Sequence, residues 1–189
     1  MYVYGWNTFL ANQTKKRSDK DIIRYFVELT AYFERRGINP GFHIMDNKAS
    51  TEFKNSRTTI DIKYQLVTPS NHRAKNTDRS INIFKNHFLA GLLNVDAGSQ
   101  LKLWDRLLQQ ETISLNLLCQ SRLHPHLSAY AHIYRDFDNK HTLLYPQGTR
   151  LLMINRPKYR ASWEPHGEFI WYIIPAMDHY RCHINFGQQ

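Results

Sequence analysis

Apolar residues recur along the chain with two periods, and the places where the period changes mark its elements. Tyr2 to Leu10 is dense in Tyr, Val, Trp and Phe and reads as a strand, or a strand and its turn. Ser18 followed by Asp21 is a helix N-cap with an acid at the third helical position, and Asp19 adds a second acid at the positive end of the dipole. Ile22, Ile23, Phe26, Val27, Leu29, Thr30 and Phe33 then follow at helical spacing, with Gly37 and Pro40 as stop signals. Phe42 to Met45 is a short apolar run closed by Asp46-Asn47, the pattern of a buried strand with a carboxylate at its C-terminal end. Ile62, Tyr64 and Leu66 alternate with Lys63 and Gln65, which predicts a half-buried strand over 61–67 ending at Pro69.

A polar, basic loop over 70–77 leads into a helix predicted from Asp78, with Ile81, Phe84, Phe88, Leu89 and Leu92 on one face. Gly98-Ser99 precedes a longer amphipathic helix whose stripe runs Leu101, Trp104, Leu107, Leu108, Glu111, Leu115 and Leu118. One more short helix is expected over 128–134. Beyond Pro146-Gln147-Gly148, three apolar runs at 150–154, 171–174 and 180–186 form a small β-rich tail, interrupted by Arg156-Pro157-Lys158 and Pro165-His166-Gly167. No internal repeat is present. The expected fold class is therefore α/β, a mixed sheet with helices followed by a β-rich C-terminal module.

Composition narrows the function classes. The 189 residues are 42% hydrophobic and 13% aromatic, far from the composition of disordered chains, and two cysteines, Cys119 and Cys182, make no disulfide scaffold. No run of about 18 apolar residues exists, and the start lacks a basic region ahead of an apolar one, so the expected location is intracellular, nuclear or cytoplasmic, with no membrane partner. Lys and Arg number 25 against 16 Asp and Glu, a formal charge of +9, which tilts the partner toward a polyanion such as nucleic acid. Cys182 with His179 and His183 is too compact a group for a closed zinc site.

Two acids stand out as candidate chemistry. Asp46 at a strand end and Asp78 at a helix start could converge on divalent ions, as phosphoryl-transfer sites with two metals require. From spacing alone they are equally readable as a turn cap and a helix N-cap, which are far commoner. His72, Arg73, Lys75, Arg79 and Lys85 flank Asp78 with positive charge that could position phosphates, or could simply be a solvated helix start.

The runs Ile44-Met45-Asp46-Asn47-Lys48-Ala49-Ser50, Tyr64-Gln65-Leu66-Val67-Thr68-Pro69, His72-Arg73 and Asp78-Arg79-Ser80-Ile81-Asn82 continuing to Phe88 resemble the integrase catalytic core of copia-type retrotransposon polyproteins. Leu103 to Leu108, Ser114 to Leu118, Ser121 to Pro125, Pro146 to Arg150, Trp163 to Gly167, Trp171-Tyr172 and His179 to Cys182 extend the resemblance over nearly the whole chain. The resemblance implies a ribonuclease-H-like core over 1–135, without its first strand, and a β-rich module over 141–189. It also implies Mg²⁺ or Mn²⁺ held by Asp46 and Asp78 in catalytic roles, DNA as partner, and association as a homodimer.

The family's first Asp belongs upstream of the strand that Tyr2 to Leu10 resembles, and no Asp or Glu occurs before Asp19 to replace it. Its third acid is normally Glu, where this chain has Asp78, one methylene shorter. Two family glycines are Ile170 and Ile174 here, which predicts strain if those positions need positive φ. The basic tail residues Arg150, Arg156, Lys158 and Arg160 are expected along DNA. The function expected is thus a DNA-binding integrase-like fragment with a degenerate two-metal site and no strand transfer by itself. The alternatives are a non-catalytic nucleic-acid-binding or dimerisation module, and an active integrase or nuclease within a longer polyprotein.

Overall fold

The structure, a computed structural model, describes residues 1–14, 18–46, 49–59, 62–67, 76–99, 104–159 and 161–187, with Asp46, Thr59 and Tyr159 described by their backbone. Among these residues the chain is mixed α/β, with five α-helices and three small sheets. The elements group into two compact units, residues 1–12 with 80–189 and residues 13–79.

Unit 13–79 begins with α1 (Asp19–Glu34), whose cap is the expected one: Ser18 Oγ accepts from the Asp21 N–H at 3.2 Å and donates to Asp21 Oδ2 at 2.8 Å. Phe26, Thr30 and Phe33, three or four residues apart, form its buried face. The strands β3 (Phe42–Asp46) and β4 (Lys63–Val67) pair in parallel, with Phe42 opposite Lys63 and Asp46 opposite Val67. A parallel pair needs a crossover, and α2 (Thr51–Thr59) supplies it. The sequence pattern gives no sign of α2, because TEFKNSRTT has one large apolar residue, Phe53, and three β-branched threonines.

The packing of this unit encloses a charge. Arg57 of α2 has 0% exposure, and its guanidinium lies 2.8 Å from the ring centroid of Phe26 and 4.0 Å from that of Phe53. None of its side-chain nitrogens has a hydrogen-bond partner among the described residues. Burial pulls the guanidinium down to about 10. His43 of β3 stacks on Phe26 at 5.1 Å, and burial together with the Arg57 charge pulls its imidazole down to about 4. The ring faces return part of the lost hydration of Arg57, but five N–H donors without acceptors leave a net cost.

The other unit is stitched from both ends of the chain. β1 (Tyr2–Val3) and β2 (Thr8–Phe9) form a small antiparallel hairpin whose turn places Asn7 at φ 55°, a conformation asparagine tolerates. β2 docks on α4 (Trp104–Leu118) through Asn116, which is 1% exposed. The Asn116 amide donates to the Phe9 carbonyl and accepts from the Phe9 N–H, both at 2.8 Å. The Thr8 hydroxyl donates to the carbonyl of Ala129, first residue of α5 (Ala129–Tyr134), at 3.3 Å. Ser128 caps α5, its hydroxyl oxygen accepting from the Ala131 N–H at 3.0 Å.

α3 (Asn76–Leu93) starts two residues earlier than expected from Asp78, and the boundary between the two units falls within its first turns. Its stripe is narrower than predicted: Phe84, Phe88 and Leu92 are half-buried, while Ile81 and Leu89 are exposed. β5 (Arg150–Ile154), β6 (Gly167–Pro175) and β7 (His183–Gly187) make an antiparallel sheet with β6 central. Leu107 of α4 packs with Ile173 and Ile174 of β6, and Phe88, Leu92, Val95, Ile113 and Phe186 close around them. Before β5, Gly148 sits at φ 66°, where a Cβ would also strike Val95. The strain expected at Ile170 and Ile174 is absent. Both lie buried in β6, and among the described residues the positive-φ non-glycine residues are Asn7, Arg135 and Arg181.

Because Arg57 is enclosed without acceptors among the described residues, replacing it by an apolar side chain of similar length should stabilise the fold. Arg57→Met is expected to gain about 1–3 kcal/mol in urea denaturation. A loss of stability would mean that the guanidinium is satisfied.

Candidate functional site

Asp46 and Asp78 both belong to unit 13–79. Asp46 ends β3 at the carboxyl edge of the parallel pair, the edge at which open parallel sheets place their ligands. Asp78 is half-buried in the first turn of α3, where its charge meets the positive end of the helix dipole. Arg79 and Lys85 are exposed on α3. Arg156 and Lys158 are exposed on the β5–β6 connection. His72, Arg73, Lys75 and Arg160 lie outside the described residues. Among the described residues no group of three or more His, Cys, Asp or Glu could hold a metal ion. No helix among them is long and apolar enough to cross a membrane.

The most perturbed carboxyl lies elsewhere. Glu111 of α4, with an 8% exposed side chain, has Oε2 2.7 Å from Nε2 of His87 on α3, at an angle that departs from a linear hydrogen bond. Burial raises the Glu111 carboxyl to about 7 and lowers the His87 imidazole, so both groups resist carrying charge. Gln147 is buried beside them, its amide unpartnered among the described residues. Gly91 is what lets α3 run this close, since a Cβ there would collide with the Glu111 carboxylate and the Gln147 amide. The sequence signal for the pair was Glu111 itself, a carboxylate standing within an otherwise apolar stripe.

A second arrangement is open to solvent. Asp96, Gly98, Arg150, Phe169 and Trp171 line a depression of about 610 Å³. Trp171 Nε1–H and the Gly98 N–H donate to Asp96 Oδ1 at 3.2 and 2.8 Å, and these bonds, the indole's first, hold the Asp96 carboxyl below its ordinary range. Arg150 lies 3.7 Å over the ring of Phe169, its cross-strand diagonal neighbour. Stacking surface and a cation therefore stand together on the tail sheet.

No family model and no curated protein sequence matches the chain. Among solved structures, the chain is similar to one in the cryo-EM structure of the simian T-cell lymphotropic virus intasome in complex with PP2A regulatory subunit B56 gamma. The match has a TM-score of 0.49 and 13% identity, covering 96% of this chain and 68% of that one. A likeness of that size assigns neither a fold family nor an activity.

The Glu111 titration has a definite sign. Between its ordinary 4.5 and about 7, the folded chain keeps a proton that the unfolded chain releases, so this group's contribution to stability falls as pH rises through that window. In Glu111→Gln that contribution disappears. Denaturation midpoints of the variant are expected to gain on the parent from pH 4.5 to about 7 and to run parallel above it.

Proposed function

We propose that the chain is an integrase-like module that binds DNA and carries an incomplete divalent-metal site, without strand-transfer activity of its own. The observation that carries this reading is the sequence resemblance over nearly the whole chain. Two placements support it: Asp46 at the carboxyl edge of a parallel βαβ pair and Asp78 at a helix start in the same unit. The ribonuclease-H-like core, the module boundary near 135–141 and the copia-type origin are parts of the same proposal.

Asp46 and Asp78 are the residues that would hold Mg²⁺ or Mn²⁺, and the ion would supply charge neutralisation at a phosphate. They do not complete a two-metal site. On this reading Asp78 reaches one methylene less than the Glu of the resembled family, which withdraws its carboxylate from the position such a site needs. The cations Arg79, Lys85, Arg156 and Lys158 would contact phosphates, with His72, Arg73, Lys75 and Arg160 proposed beside them from sequence. Such contacts position a backbone without reading its sequence.

Purified chain is expected to bind duplex DNA of unrelated sequences alike, losing about tenfold or more in affinity between 50 and 200 mM salt. With Mg²⁺ or Mn²⁺ it should leave end-labelled DNA intact. Robust nicking that disappears in Asp46→Asn would overturn the inactive reading, and affinity insensitive to salt would remove the phosphate contacts.

Self-association has its own observation. Ile81, Leu89 and Leu93 are exposed on one i, i+4 row of α3 that also holds the exposed Lys85, so Leu89 and Leu93 make the apolar end of that row on a helix whose other face is packed. Sedimentation velocity should show a dimer forming with concentration, and Leu89→Asp should shift it to monomer. A chain that stays monomeric throughout ends this reading.

A further inference from the structure

The β5–β6 connection, residues 155–166, carries Arg156, Lys158 and Arg160 against the single acid Glu164. Its described residues are tied together by backbone hydrogen bonds. Asn155 N–H donates to the His166 carbonyl at 3.1 Å across its base, Pro157–Tyr159 form a 3₁₀ turn, and Glu164 N–H donates to the Ala161 carbonyl at 3.2 Å. The Glu164 carboxylate is used within the loop, accepting from the Ala161 N–H at 3.0 Å. That bond fixes the backbone on either side of Trp163, whose side chain is nevertheless 99% exposed. The closed turn holds both faces of the indole in water. Further along the same hairpin, Phe169 is 51% exposed with Arg150 over its ring.

We infer that this hairpin is a binding element for single-stranded nucleic acid, with Trp163 stacking on an unpaired base and Arg156 and Lys158 flanking its phosphates. The inference rests on the DNA-binding reading above and deepens it. Charge complementarity selects the occupant: exposed cations on the same loop as a flat exposed ring match a chain that alternates phosphate and base. A bilayer would need more apolar surface than the connection offers, since Arg156, Pro157, Lys158, Glu164 and His166 would enter with the indole. Bases inside a duplex are already stacked on both faces, so the ring gains little from them and its effect should be confined to unpaired strands.

The test uses the whole chain with oligothymidylate of about 20 nucleotides, a length that spans a single-strand site, and a closed duplex hairpin of matched length, at one salt concentration. Trp163→Ala should weaken oligothymidylate binding about tenfold, while Trp163→Phe keeps it within about threefold. Duplex affinity should stay the same in all three proteins. Emission assigned to Trp163, by difference from Trp163→Phe, should be quenched by oligothymidylate. Unchanged oligothymidylate affinity in Trp163→Ala, with duplex still bound, would overturn this inference alone; failure to bind either DNA would overturn it together with the DNA-binding reading. A blue shift of Trp163 on phosphatidylserine vesicles without quenching by oligothymidylate would overturn it in favour of a membrane surface. The exposure of Trp163 makes misfolding of the variants a minor risk, which circular dichroism checks.

Discussion

The side-chain amide of Asn116 does the work of a neighbouring strand. By donating to the carbonyl and accepting from the N–H of Phe9, it satisfies both backbone groups of a residue with almost no solvent access. A two-residue hairpin is marginal by itself in water. Here the clasp, with the Thr8 hydroxyl on Ala129 and the Asn7 amide on the Gln120 carbonyl, fastens it to the helices that carry the tail sheet. The grouping of residues 1–12 with 80–189 follows from these few bonds. An apolar side chain at 116 would leave two buried backbone groups unpaired, at about 1–3 kcal/mol each.

Two other buried polar groups work against stability. Arg57 lies among phenylalanine rings, and Glu111 faces His87 where neither can easily hold charge. They belong to different units. Folded proteins keep small margins, and two such groups take a sizeable share of the margin of a chain this long. A protein that tolerates them is held mainly by shape and apolar contact, as in the Leu107, Ile173 and Ile174 cluster.

Elements with a strong period were legible in the sequence. The N-cap at Ser18, the middle of the α4 stripe at Leu107, Leu108, Glu111 and Leu115, and the strand-end acid at Asp46 stand where the pattern placed them, because each is fixed by neighbours close in sequence; at the ends of that stripe Trp104 and Leu118 are exposed, and Leu101 lies outside the described residues. α2 was illegible because its helix is imposed by the β3–β4 crossover and not by any apolar period of its own. On α3, the pattern marked Ile81 and Leu89 as core, yet only Phe84, Phe88 and Leu92 find partners, and which residues of an apolar stripe are covered is decided by the neighbours. For the candidate site, strand and helix assignments located Asp46 and Asp78. Nothing local could reveal that Glu111 would meet His87, since that contact depends on Gly91 letting two helices approach.

The clasp between Phe9 and Asn116 spans 107 residues of chain. Closing a loop of that length costs about 4 kcal/mol of chain entropy, and the return comes only after α4 has formed. During synthesis residues 1–12 therefore lack this clasp while all of 13–79 emerges and has the chance to fold. The unit that holds them is completed only once α4 has formed. Its exposed aromatic hairpin is then the segment most open to capture by another chain, so crowded synthesis would be the condition under which this protein most readily exchanges its N-terminal strand with a second copy.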